Sequence, residues 1–303
     1  LNVQAGQAQQ IDPTRLNEGI ARPSSPALAD QQNLGALGLE DENVFAPASP
    51  GDDDLGQQLI LKETPRERWL RAQADFFGFW TDNAANTSEG EVDDFFWGGR
   101  VSLGAQPRLT NLLYADADVT QSVYRYDEFD GLDFESLEAS VGLLYVVPRL
   151  MNSILFVQGH FNRITNDGFS NDLVNSWSIR AGIQKTFLID RRNSIHLNLM
   201  GDWDLDTDFD ELFRHEYIAD LGYRFKIMRD LVFAVSYRFT YFDYQDVDRS
   251  DVLNLAGASL TWSPQKWLDV YVSANYSFND SDVDVFDYET ANAGGGVGVK
   301  VKF

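Results

Sequence analysis

The chain predicts an all-β fold, a twelve-stranded antiparallel up-and-down transmembrane β-barrel preceded by an extended N-terminal arm. Three observations carry this. From Trp69 onward apolar and polar residues alternate in long runs, the period-2 pattern of strands with two different faces. The connections between runs alternate in kind, tight turn then longer loop, as they do when every strand reverses direction. No stretch approaches the ~18 consecutive apolar residues of a membrane-spanning helix, and a β-barrel gives that same result because only every second residue meets lipid.

Composition removes several function classes. The 303 residues include no cysteine, so neither a disulfide framework nor a cysteine-based zinc, haem or iron–sulfur site is possible. Acidic residues number 47 against 24 basic, a formal charge of -23. That excess argues against nucleic acid as a partner, which needs a basic face to displace phosphate counterions. The chain begins at Leu1, as expected of a mature form whose signal peptide has been removed.

The elements follow in order. Residues 1–65 form the arm and residues 66–303 the barrel. The arm holds six of the nine prolines and a single aromatic, Phe45, so it cannot bury enough apolar surface to offset its ordering entropy. Within it, Asp52-Asp53-Asp54 precedes the apolar run Leu59-Ile60-Leu61, a segment that could dock on a partner or in the barrel's own lumen.

The alternation test places strands at 69–80, 94–106, 111–126, 134–147, 152–165, 175–189, 194–206, 214–227, 231–244, 251–263, 267–279 and 289–303. These exceed the ~5–6 residues usual in globular proteins and suffice to cross a bilayer at a tilt. Segment 251–263 alternates poorly and is expected to carry a bulge. Leu70, Ala72, Ala74, Phe76 and Trp80 share one face of the first strand, Leu137, Ala139, Val141, Leu143 and Tyr145 one face of the fourth. These are the expected lipid-facing sides. Trp69, Trp80, Trp97, Trp177, Trp203, Tyr217, Tyr241 and Trp262 lie mostly near strand ends, where aromatic girdles sit.

Tight turns are read at 107–110, 148–151, 190–193, 228–230 and 264–266, longer loops at 81–93, 127–133, 166–174, 207–213, 245–250 and 280–288. Charge separates with them. The turns carry Arg108, Arg149, Arg191, Arg192, Arg229 and Lys266 against Asp190 and Asp230, whereas Arg249 is the sole basic residue of loops crowded with Asp and Glu.

The last strand ends Gly296-Val297-Gly298-Val299-Lys300-Val301-Lys302-Phe303. With apolar Val297, Val299 and Val301 at alternate positions before a terminal Phe303, it resembles the C-terminal insertion signal of bacterial outer-membrane β-barrel proteins. It departs from the commonest form in having Val299 where an aromatic is frequent. The resemblance covers residues 69–303 and stops at architecture, with no subfamily motif. It implies a bacterial outer-membrane location, and the even strand count then puts both termini, and the arm, in the periplasm. Its implied partners are outer-membrane lipid and lipopolysaccharide, the barrel-assembly machinery during biogenesis, and a periplasmic or envelope protein reached through residues 1–65.

The opposite faces put Arg71, Arg100, Arg180, Arg238, Asp116, Asp118, Glu138, Asp202, Glu216 and Asp220 in the lumen, together with Asp75, His160 and Arg224. Arg100, Arg180 and Arg238 are expected near mid-height, with Asp202, Asp204, Asp206 and Glu216 nearer the loops. Segregated arginines and carboxylates would set a transverse field across a pore; the alternative is an interior sealed by salt bridges. The expected function is therefore a porin-like passive channel with an acidic mouth. A structural or interaction barrel whose arm docks a partner or plugs the lumen is the competing reading.

No enzyme is expected. Outer-membrane phospholipases resemble one another in a lipid-facing His followed two positions on by Ser, and here His160, His196 and His215 are followed by Asn162, Asn198 and Tyr217. His215 with Asp208, Asp210 and Glu211 loosely resembles the omptin proteases, which have ten strands. No cofactor is expected apart from calcium at the acidic loops, where Asp280, Asp282, Asp284 and Asp287 offer oxygen ligands without the mid-loop Gly and closing Glu of an EF-hand. Gly294-Gly295-Gly296 with Gly298 is not a phosphate loop, because no helix follows. Small residues there are expected to let a plug or a neighbouring strand approach.

Overall fold

The computed structural model describes residues 69–166 and 168–303. The arm read at residues 1–65 and Asp167 lie outside the described residues. Twelve strands appear in chain order: β1 (Leu70–Thr81), β2 (Asp94–Ala105), β3 (Leu113–Tyr126), β4 (Phe134–Val147), β5 (Ser153–Asn166) and β6 (Asn171–Leu188), then β7 (Asn193–Thr207), β8 (Arg214–Lys226), β9 (Leu231–Tyr244), β10 (Ser250–Gln265), β11 (Leu268–Ser281) and β12 (Tyr288–Lys302). Each pairs antiparallel with its sequence neighbours, and β12 returns to β1 to close the barrel. At the seam the Phe303 N–H donates to Leu70 O at 2.9 Å. Closure leaves no unpaired edge, which is the condition for spanning hydrocarbon with strands.

Alternation sets the two faces. Phe76, Val101, Leu103, Val141, Val157 and Val272 are exposed on the outer wall, more apolar surface than a protein surrounded by water shows. Trp69, Trp80, Trp97, Trp177, Tyr217 and Trp262 are also exposed outward; Trp203 and Tyr241 are half-buried. Val297, Val299 and Val301 face out between exposed neighbours of β1, with Phe303 exposed at the end.

Two expectations about the connections change. The segment read as a loop over 166–174 is a tight hairpin, because Asn171–Leu188 extends β6 by four residues at its start. Gly168 and Phe169 both take positive φ there, 65° and 70°, inside a connection shortened to 167–170. The Phe169 N–H is tied to Glu135 Oε2 at 3.2 Å, and Thr165 Oγ1 donates to the same oxygen at 3.1 Å. The asymmetry of connection length is correspondingly weaker: 106–112 at the turn end is as long as 127–133 at the loop end, and only 82–93 is distinctly longer.

Bulges also shift two faces. The register of β6 against β7 slips between Trp177 and Ser178, so Asp204 pairs with inward Ser178 but Asp206 pairs with outward Trp177. Asp206 therefore leaves the lumen, contrary to the strict alternation that put it beside Asp202 and Asp204. In β10 the irregularity expected from its poor alternation falls between Trp262 and Gln265, where Pro264 could not have donated to the ladder.

The interior of the loop-end half is not purely polar. Phe77, Phe79, Phe96, Tyr124, Phe134 and Ile164, inward residues of β1–β5, pack into one buried cluster. Tyr124 stacks on Phe134 with ring centroids 4.4 Å apart, and Phe79 on Phe96 at 5.8 Å. Ala84 and Leu132 reach in from the 82–93 and 127–133 loops, with Leu212 packed against them from the β7–β8 connection. A second buried group joins Phe242, Tyr244, Leu253 and Tyr288 on β9, β10 and β12.

The glycines of the β12–β1–β2 seam make room for this. Phe77 lies directly across from Gly98, whose added Cβ would come within 2.7 Å of its ring; Tyr271 lies across from Gly296 in the same way. What approaches these small residues is thus a neighbouring strand's aromatic ring, the arrangement by which an aromatic covers a strand glycine.

Candidate functional site in the barrel lumen

All ten lumen residues read from the sequence lie on the inward face, and they engage neighbouring partners across the ladder instead of separating into a basic and an acidic cluster. Near the turn end Arg71 on β1 donates from Nε to Asp118 on β3 at 3.2 Å and stands 3.6 Å from Asp116. Asp116 is 1% exposed and accepts from Gln106 Nε2 at 3.0 Å and Gln158 Nε2 at 2.8 Å. A carboxylate so deep in the wall is tolerable only because its oxygens are matched. Across the seam Lys300 pairs with Asp269 at 2.6 Å.

Higher on the wall, Asp75 lies directly across the ladder from Arg100. The Arg100 guanidinium donates to Ser122 Oγ at 3.2 Å and Tyr124 OH at 3.3 Å, against the face of Phe77. Arg180 pairs with Asp202 between β6 and β7. Arg238 pairs with Asp220 between β9 and β8 at 2.6 and 3.3 Å, and Asn198 Nδ2 donates to the same carboxylate. The Arg238 side chain remains 40% exposed, so water reaches this part of the wall. Glu138 stands 4.0 Å from His160 Nε2.

The alternation reading did not single out the most closely built charge site. At the loop end Arg214 pairs with Glu216 at 2.9 Å and Arg249 with Asp251. Both guanidiniums donate to Tyr244 OH, at 3.0 and 2.9 Å. Arg214 also lies 4.3 Å over Phe242, while Arg249 lies 4.1 Å over Tyr244 and 3.6 Å over Phe286. The sequence did carry one signal, since Arg249 is the only base in the acidic loops.

The four carboxylates read as calcium ligands do not converge. Among the described residues no group of three or more carboxylate, imidazole or thiol side chains is placed to hold a metal ion. Asp282 accepts from Ser250 N at 3.0 Å and Asp287 from Ser281 N at 2.7 Å, so two of them serve to tie their loop to adjacent strands. Asp280 and Asp284 stand exposed at the rim. His215 pairs in register with Trp203 on the outer face, turned away from any lumen chemistry.

Comparison with known proteins agrees with this architecture. A family model described as "Putative beta-barrel porin 2" matches residues 213–303. No curated protein matches the chain. An outer membrane channel from Pseudomonas putida F1 is similar over 81% of this chain and 100% of its own, at 11% identity and a TM-score of 0.57. The translocator domain of the autotransporter NalP from Neisseria meningitidis aligns over 96% and 98%, at 12% identity and 0.45, and the NanC porin over 75% and 100%, at 12% and 0.45. The first of these likenesses is one of fold. With its closed ladder, apolar outer wall and inward charges, the chain is a closed twelve-stranded antiparallel β-barrel, similar in fold to an outer membrane channel.

Proposed function

We propose that the protein is a non-enzymatic, porin-like channel of the outer membrane that favours cations, its lumen a wall of paired charges and its loop end an acidic mouth. The observation that carries this reading is the inward row Arg71–Asp118, Arg180–Asp202 and Asp220–Arg238 inside a closed barrel. A wall of near-neutral ion pairs offers water and hydrated ions hydrogen-bonding partners without trapping either sign. Selectivity then falls to the mouth, where Glu211, Asp246 and Asp248 stand exposed and raise the local cation concentration. The fold shared with an outer membrane channel supports the reading. Both termini, and with them the turn end, are taken to face the periplasm.

Reversal potentials across a bilayer holding unequal KCl concentrations test it. The expected result is a potential of the sign for potassium over chloride, reduced in the triple variant Glu211→Gln, Asp246→Asn, Asp248→Asn and shrinking at high salt as the mouth is screened. A channel that prefers chloride, or a triple variant with unchanged selectivity, would refute the assignment of selectivity to the mouth.

A further inference from the structure

Hairpin turns that face water favour small and polar residues. The turn end of this barrel departs from that all the way round. Leu109 between β2 and β3, Leu150 between β4 and β5, Ile189 between β6 and β7, Met228 between β8 and β9 and Trp267 between β10 and β11 are each more than half exposed, as is Phe303 at the β12–β1 seam. An exposed base stands within two positions of each: Arg108, Arg149, Arg191, Arg229, Lys266 and Lys302, in the same order.

An apolar tip and a base thus recur once every two strands around the closed ladder. The loop end has no such ring. Among the described residues of its connections Arg249 is the only base, and it is buried. Both acids of the turns are held in local hydrogen bonds: Asp190 accepts from Arg192 N and Asn193 Nδ2, each at 2.7 Å, and Asp230 from Trp262 Nε1 at 3.1 Å. Bases outnumber them, so the ring is positive.

Depth narrows the choice of partner. β3, β4 and β5 have 14 residues each, and at ~3.3 Å per residue and a tilt of about 40° such a strand spans roughly 35 Å along the membrane normal. The hydrocarbon core is about 30 Å thick and the headgroups extend it to about 40–45 Å. The turn tips therefore end among headgroups, where a large apolar side chain beside a base is the composition of an interfacial anchor.

A partner for this ring must be apolar at depth, anionic at its surface and continuous around the barrel. A docked protein would cover one sector. We propose that the turn-end ring binds a leaflet of anionic phospholipid, its apolar side chains set at the boundary between acyl chains and headgroups and its bases against the phosphates. The four arginines nearest the tips suit this through their planar fork of donors, and bases near an anionic bilayer surface are drawn to it. The inference rests on the barrel lying in a bilayer and not on its conducting ions.

The chain has no cysteine, so one fluorophore can be attached at a chosen site. Met228→Cys places it at a turn tip, and Phe209→Cys at an exposed apolar residue of the loop end. Each labelled protein is reconstituted in phosphatidylcholine vesicles that hold a small fixed fraction of lipid with a nitroxide high on its acyl chain, either phosphatidylglycerol or phosphatidylcholine. Quenching at Met228→Cys is expected to be at least about threefold stronger with the anionic lipid, with no such preference at Phe209→Cys. The preference should be lost when Arg149→Gln, Arg191→Gln, Arg192→Gln and Arg229→Gln are combined. It should also be lost in the parent at about 1 M KCl, where the Debye length is about 3 Å; the salt series decides the matter should the combined variant fail to fold.

Equal quenching by the two lipids at Met228→Cys would overturn the proposal, as would a preference that survives high salt. A preference of the same size at Phe209→Cys would overturn it too, because the enrichment would then belong to the whole barrel. So would a Met228→Cys fluorophore quenched by aqueous iodide and by neither lipid, which would put the tips in water and leave the ring to a soluble partner.

Discussion

At the scale of single residues, the arginines do more than balance charge. The Arg249 and Asp251 side chains are 7% and 1% exposed, so neither ion is stabilised by bulk water and each depends on the other. Removing one partner of a buried pair costs about 3–5 kcal/mol because the remaining charge is stranded. Arg249→Ala is therefore expected to lower the urea concentration at which the folded barrel is lost, and Arg249→Lys to recover only part of it, since an ammonium cannot serve both Asp251 and Tyr244 in the guanidinium's planar geometry. Folded and unfolded forms separated by gel mobility give the measurement; an Arg249→Ala barrel as stable as the parent would show that Arg249 does not hold the loop end together.

Asp190 gives a second case at this scale, in a turn outside the membrane span. The Arg192 N–H at 2.7 Å and the Asn193 side-chain amide at 2.7 Å donate to its carboxylate and hold its pKa below the ordinary value. A depressed pKa means that the turn's stabilisation is fully present above the ordinary carboxylate range and is lost as pH falls through the depressed value. Carboxyl carbon shifts followed by NMR should show Asp190 titrating below a reference aspartate, and Asn193→Ala should move it back up.

Among the strands, the two faces answer to different solvents. Val141 is 66% exposed on the outer wall of β4, near the middle of the strand and so near the middle of the bilayer. Val141→Arg is expected to cost about 2–4 kcal/mol in a lipid bilayer, with Val141→Leu near neutral. If the arginine cost nothing in lipid vesicles, that face would not be in lipid.

The strands were legible because lipid imposes a strict period: β4 and β9 have the bounds that alternation gave them, and the others differ at one or both ends by at most four residues. Reading failed where backbone geometry breaks the period. The Trp177/Ser178 slip turned Asp206 outward, and the positive φ of Gly168 and Phe169 made a hairpin of a segment whose polar residues read as a loop. The inward facing of Arg71, Arg180 and Arg238 was equally legible. Which carboxylate each one meets was not, because that depends on cross-strand register, which alternation leaves free by any even number of residues. The aromatic cluster was legible in part, since Phe77, Phe79 and Phe96 have inward parity, but nothing in one strand's sequence says that rings from β1 to β5 meet.

For the whole molecule, the closed ladder, the lipid-facing wall and the Arg–Asp pairs describe a barrel with water-reachable charge inside and aromatic packing toward its loops. Most of the net charge of -23 lies in the loops of that end, above a lumen where Arg71, Arg180 and Arg238 are each paired with a carboxylate. Conduction through such a barrel requires a path past the Arg214–Tyr244–Arg249 site. The direct test is single-channel recording in planar bilayers. Discrete conductance steps are expected; bilayers that stay silent although the protein is folded and inserted would contradict the channel reading.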